Sequence, residues 1–154
     1  MAVLSASFIL FLCSCSAGKE QAPDELTFHI GDSSITVSAQ KISAAADFVS
    51  LLLNADSFNG AARMQPAIIF ELPGAVDSVE VYDYYDDMET LLFENILENT
   101  QNRQYTYIVP HSSASPNNPY GYNEFEYRGF IFVITTANAR YAYPFKVSLD
   151  GSHI

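Results

Sequence analysis

The stretch DSVEVYDYYDDMETLLFENILE, residues 77–98, holds eight acids and no base. Asp83, Asp86 and Asp87 stand close enough in sequence to gather around a hard cation, which takes six to eight oxygen ligands in the case of calcium. The D-x-[DN]-x-[DN]-G spacing of a calcium loop is absent, however. Acids near a helix N-terminus also stabilise its dipole, so the preferred reading is helix capping and a solvated face, with no metal and no cofactor. His111, Ser112 and Ser113 place a base beside two hydroxyls. A Ser–His pair works by convergence from separate elements rather than by adjacency, and no G-x-S-x-G is present. His29 falls on the polar face of an expected strand and His153 in the last four residues. Two carboxylates placed for glycoside cleavage leave no sequence pattern. No catalytic residue is assigned, and the chain is not read as an enzyme.

Tyrosine carries more information. Tyr82, Tyr84 and Tyr85 sit among the acids, and Tyr120, Tyr122 and Tyr127 flank residues 111–123. A tyrosine ring offers a flat apolar face with a polar tip, which suits interfaces and sugar stacking. The same property suits sheet margins, where the ring covers the sheet and the hydroxyl stays wet. Tyr120 and Tyr122 are the first candidates for binding a protein or carbohydrate ligand, followed by Tyr82, Asp83 and Tyr84.

Both cysteines, Cys13 and Cys15, lie at the end of an apolar run that starts at Ala2. The run is shorter than the roughly 20 residues of a membrane span and has the length of a secretory h-region. A Cys13–Cys15 disulfide would close a tiny loop and stabilise little. Two cysteines alone also fall short of the four ligands zinc wants. Leu12-Cys13-Ser14-Cys15 resembles the lipobox of bacterial lipoproteins, with Leu12 at −3, small residues at −2 and −1, and Cys15 as the acylated position. Residues 1–12 carry no Lys or Arg, unlike the usual signal peptide, so either translation starts upstream or the signal is unusual. The alternatives are an ordinary signal or uncleaved anchor, and an apolar first strand of a cytoplasmic protein. The resemblance implies a signal peptide over residues 1–14 and a lipid anchor at Cys15 in the bacterial cell envelope. Ser16, where Asp would retain a lipoprotein in the inner membrane, implies the outer one.

Eighteen acids against seven Lys and Arg give a net charge of −11. Binding to a phosphate backbone needs basic side chains to displace counterions, so nucleic acid is excluded as a partner. Direct attraction to anionic lipid is disfavoured for the same reason. Attachment to a membrane would then rest on acyl chains, at about 0.8 kcal/mol per buried methylene.

The elements that must position these residues follow from periodicity. Residues 15–25 read as the acylated cysteine and a flexible tether, residues 26–150 as a single domain, and residues 151–154 as a tail. LTFHI and ITV alternate around a four-residue GDSS turn and predict a hairpin. Ser43 is the expected N-cap of a first helix carrying Phe48, Leu51, Leu52 and Ala55. Residues 67–70 suit a strand covered on both faces. Asp86 with Glu89 predicts a capping box that opens a second helix striped by Met88, Leu91, Leu92 and Ile96. Residues 105–109 return to strand, and residues 111–123 form a long loop, the expected recognition surface. Residues 125–127 and 130–134 read as strands separated by a tight turn at Arg128-Gly129. The last strand alternates Tyr141, Tyr143, Phe145, Val147 and Leu149 on one face, and Pro144 predicts that it lies at a sheet edge. The expected class is α+β, with a mainly antiparallel sheet of about seven or eight strands and two helices. The expected function is a small membrane-anchored envelope lipoprotein with a non-catalytic binding or accessory role. The rivals are a small extracytoplasmic hydrolase and an inhibitor or immunity factor acting through an acidic surface.

Overall fold

The computed structural model of the 154-residue chain describes residues 22–60, 66–99, 102–110 and 125–150. Cys15, His111, His153, Tyr120, Tyr122 and the expected loop at 111–123 lie outside the described residues. Among the described residues ten strands and one short helix follow in the order β1 (Glu25–Ile30), β2 (Ser33–Ser38), β3 (Gln40–Ile42), α1 (Phe48–Leu53), β4 (Ser57–Gly60), β5 (Ala67–Glu71), β6 (Ser78–Tyr84), β7 (Leu91–Ile96), β8 (Gln104–Ile108), β9 (Phe125–Thr136) and β10 (Ala139–Asp150). The smaller sheet has the order β2-β1-β5-β8 and the larger β3-β10-β9-β6-β7, with β4 also pairing β10. Every pairing is antiparallel except β4 with β10. The expectation of a mainly antiparallel sheet holds. Its strands are divided between two sheets, and one helix stands where two were expected.

Alternation explains how the sheets stack. Leu26, Phe28 and Ile30 of β1 and Ile68 and Phe70 of β5 turn their side chains inward from the smaller sheet. Val79 and Val81 of β6, Phe130, Phe132 and Ile134 of β9, and Tyr143, Phe145, Val147 and Leu149 of β10 meet them from the larger sheet in one core. Phe28 sits at its centre, with ring centroids 4.8 Å from Phe132, 5.0 Å from Phe145 and 5.1 Å from Phe70. The larger sheet has a second packed face, where Ile131, Val133, Ala142 and Tyr84 meet Leu52 of α1 and Met88.

Local chemistry accounts for the departures from expectation. The β1–β2 turn uses two residues rather than four. Gly31 takes φ 58° there, as the first central residue of a type II′ hairpin turn requires. The first helix starts later than expected. Asp47, not Ser43, is its N-cap, accepting the Ser50 amide at 3.2 Å and the Ser50 hydroxyl at 2.8 Å. Those two bonds hold the Asp47 carboxyl below its ordinary value. The second helix is replaced by a turn and β7. Asp87 accepts the amides of Glu89 and Thr90 at 2.9 and 2.8 Å, so its side chain closes a turn instead of capping a helix. Met88 takes φ 59°, which no helix interior tolerates. The expected apolar stripe accordingly breaks up, and Ile96 is 75 % exposed. Strand β5 is buried on one face only, with Ile69 half-buried on the other.

Arg128 and Gly129 do not form a turn; β9 runs unbroken through both. Strand β10 is not an edge strand either. It pairs β9 along its whole length, while its other side is shared by β3 up to Ala142 and β4 from Lys146. The Lys146 amide donates to the Asp56 carbonyl on that shared side at 2.9 Å. Alternation would aim an N–H of residue 144 the same way. Pro144 therefore stands in the gap between two short strands, where no ladder bond is lost. At the other end, the fold begins within the expected tether. Ala22 is buried in the core, and the Pro23 carbonyl accepts the Tyr143 hydroxyl at 2.6 Å.

A methyl group added at Gly129 would stand 2.6 Å from Met88 Sδ and 3.1 Å from both terminal carbons of Leu52. We expect Gly129→Ala to destabilise the fold by about 1–3 kcal/mol through overpacking, read from the denaturant midpoint. Combining it with Met88→Ala should recover part of the loss relative to the sum of the single changes.

Candidate functional site

Alternation along β6 sends Asp83 inward with Val79 and Val81, and alternation along β9 sends Arg128 inward with Phe130. Both side chains have 0 % exposure. Arg128 Nε donates to Asp83 Oδ1 at 2.8 Å and Nη2 to Oδ2 at 2.5 Å, a bidentate pair. The Tyr107 hydroxyl of β8 donates to Oδ2 at 2.8 Å from the opposite sheet. Burial, and then the Asp83 carboxylate, push the Tyr107 phenol far above its ordinary value. Asp83 is thus a structural carboxylate facing the core, and it does not meet Asp87, which is spent on the Thr90 turn.

The tyrosines expected beside it divide. Tyr84 is buried against α1, and Tyr85 is buried as well. Tyr82 is half-buried on the outer face, its ring edge-on to Phe48 at 4.6 Å. Its hydroxyl donates to Glu80 Oε2 at 2.7 Å, and Arg140 reaches the same oxygen at 3.1 Å. Burial, followed by the Glu80 bond and charge, raises the Tyr82 phenol well above its ordinary range. Tyr82, Asp83 and Tyr84 therefore serve two different layers and do not form one surface.

A second place has the shape of a site. Strand β1 pairs β2 along all of its length, and β5 pairs β8 along all of its own. The β1–β5 ladder holds only at His29↔Ile69 and Ile30↔Ile68. The Ala39 amide donates to the Asp24 carbonyl at 2.7 Å, and the Leu72 amide to the Arg103 carbonyl at 3.0 Å. Alternation then aims the main-chain groups of Glu25, Thr27 and Glu71 away from β2 and β8, into the gap beyond the His29 pair. Beyond the His29 pair the two chains are tied to different partners. The Pro23 carbonyl accepts from Tyr143, whereas the Leu72 amide donates to the Arg103 carbonyl and the Arg103 guanidinium to the Pro73 carbonyl.

The result is a cleft of about 280 Å³ closed at one end by the His29–Ile69 pair. Glu25, Thr27, His29 and Glu71 are exposed around it, Gln104 is half-buried, and Leu26 and Phe70 separate it from the core. Gln104 Nε2 donates to Glu71 Oε1 at 3.3 Å and orients that carboxylate. Periodicity leaves Glu25 in the expected tether and assigns Thr27 and Glu71 no role, and it carries no sign that the β1–β5 ladder stops short. The sequence signal nearest to it is Pro73, two residues after β5, which has no N–H to continue a ladder. Compared with protein-family models and with curated proteins, the chain matches none.

Removing one member of the buried pair takes from the other its bidentate charge partner. Asp83→Asn should cost about 3–5 kcal/mol, whereas Asp83→Leu combined with Arg128→Met should be less destabilising than Asp83→Asn alone; equilibrium denaturation decides. At alkaline pH the raised phenols of Tyr107 and Tyr143 stay protonated in the folded chain while unfolded tyrosine ionises near about pH 10. The folded state then binds more protons than the unfolded one. This contribution is full below about pH 10 and falls as pH rises toward the folded values. Phenolate absorbance should show these rings titrating only as the fold is lost.

Proposed function

We propose that this chain is a lipid-anchored envelope protein with a non-catalytic binding role, and that its ligand docks at the cleft between β1 and β5. The anchor rests on the lipobox-like Leu12-Cys13-Ser14-Cys15. The binding role is carried by one observation: a ladder that opens after two pairs and leaves the main-chain groups of Glu25, Thr27 and Glu71 facing a cleft instead of a strand. Backbone polar groups are strong obligatory partners, so a row of them beside two carboxylates is a ready surface for a donor-rich ligand. The buried ion pair supports the reading indirectly. It absorbs Asp83 into the scaffold and leaves Glu25 and Glu71 as the carboxylates flanking the cleft. The rival reading as an inhibitor would use the same two carboxylates against a basic partner.

Two measurements test this reading. In a bacterial host fed labelled palmitate, Cys15→Ser should lose both the label and the membrane fraction, while Cys13→Ala should keep both. Persistence of both in Cys15→Ser would refute the anchor. A photoreactive side chain at Gln104, on the cleft wall, should give a discrete adduct in the envelope. The same group at Ile108, on the same face of β8 four residues from Gln104 and outside the cleft lining, should give none. Equal adducts, or none at Gln104, would move the site elsewhere.

A further inference from the structure

We propose that the β1–β5 cleft receives an extended, basic peptide segment, which pairs its main chain with Thr27 and Glu71 and sets Lys or Arg side chains against Glu25 and Glu71. This identification of the partner rests on the binding reading above. Three properties of the cleft select such a ligand. First, the groups aimed into it are main-chain N–H and C=O in strand conformation, on Glu25 and Thr27 from one side and Glu71 from the other. Their natural complement is another extended main chain, the arrangement of peptide recognition by strand addition. Second, the volume of about 280 Å³ is below that of most small-molecule pockets. It admits the leading residues of a segment that enters from the open end and stops at the His29–Ile69 pair. Third, carboxylates outnumber cations around it. Glu25 and Glu71 are exposed beside the cleft, one guanidinium, that of Arg103, is held at the rim by the Pro73 carbonyl, and the whole chain carries −11. A segment with basic side chains on one face is attracted, and an acidic one is repelled. Side chains on one face of a strand recur every second residue, roughly 7 Å apart, so the preferred pattern alternates basic with neutral residues.

Glu25→Gln with Glu71→Gln removes the charge without touching a buried group. The probe is a synthetic peptide, acetyl-Lys-Thr-Lys-Thr-Lys-Thr-amide, titrated into the full chain by calorimetry and by amide shifts in nuclear magnetic resonance. Saturable binding is expected, with the largest shifts at Thr27 and Glu71. A version methylated on its central amide nitrogens should bind roughly tenfold more weakly, as the loss of main-chain hydrogen bonds implies. The glutamate-for-lysine version should not bind. The double Gln variant should keep its melting midpoint and weaken the lysine peptide by a similar factor. Absence of saturable binding, equal binding of the methylated peptide, or shifts centred on the β7 edge would each overturn the proposal. If the lysine peptide fails while crosslinking from Gln104 persists, the peptide partner is wrong and the binding reading stands. If both fail, both are wrong.

Discussion

An ion pair without contact to solvent joins Asp83 to Arg128 and, through the Tyr107 hydroxyl, ties β6 and β9 of one sheet to β8 of the other. Burying two charges costs several kcal/mol per ion, and such pairs seldom add net stability. What its geometry favours is one register over others. The inward faces of β9 and β10 present Phe130, Phe132, Tyr143 and Phe145, rings similar enough for a slipped sheet to pack nearly as well. A one-residue slip is already barred because it turns every apolar side chain outward. A two-residue slip keeps the faces. It fails here because the guanidinium fork and the carboxylate fit only when Asp83 lies opposite Phe130, with Arg128 diagonal to it. The bidentate geometry and the third bond from Tyr107 make that fit narrow. A polar key in an aromatic core therefore favours one alignment of β6 against β9, and the Tyr107 bond ties β8 to that pair.

The next residue along β9 does the opposite work on the opposite face. Gly129 has no side chain, and Leu52 of α1 and the thioether of Met88 lean into the space it leaves. Helix α1 has only six residues, too few to persist without tertiary support. Its docking on the larger sheet, helped by the Asp47 cap and by Lys146 Nζ reaching the Leu53 carbonyl at 3.3 Å, is what makes it a helix. The larger sheet is thus covered on both faces. The outward residues of the smaller sheet, such as Thr27, His29, Thr36 and Ile108, remain exposed or half-exposed. The cleft lies in this uncovered sheet.

This asymmetry also separates what could be read in the sequence from what could not. Strands β1, β2 and β10 were legible because larger apolar side chains recur at every second residue and mark the face that meets the core. The expected second helix misread its segment because Met88, Leu91, Leu92 and Ile96 fit a helical stripe by spacing alone. The decision lay with the Asp87 side chain, which closes a turn, and with Met88 in the left-handed region. Arg128-Gly129 looked like a turn because a charge and a glycine interrupt an apolar run. Each is instead explained by one distant residue or two, Asp83 on one side and Leu52 with Met88 on the other. Pro144 pointed to an edge and instead occupies a gap between two partner strands. Among the site residues, Asp83 stood out by its neighbours and proved structural, and Glu25, Thr27 and Glu71 went unnoticed because partial pairing between distant strands has no local signature.

An opened ladder is a hazard as well as an opportunity. Unpaired strand groups invite pairing with any extended chain, and folds blunt such edges with charge and proline. Glu25, Glu71 and Pro73 supply both around this opening. Against a second copy of the same chain the protection is strong, since each copy carries −11 and two pairs of carboxylates would be brought together. The protection is also selective. Repulsion acts on acidic and, through desolvation of the carboxylates, on apolar segments, while a segment with basic side chains gains from the same groups. The features that keep the cleft from sealing against its own kind thus define by exclusion the ligand it can accept. Guarding and recognition then need no separate residues, which is consistent with a cleft this small being flanked, among the described residues, by two carboxylates.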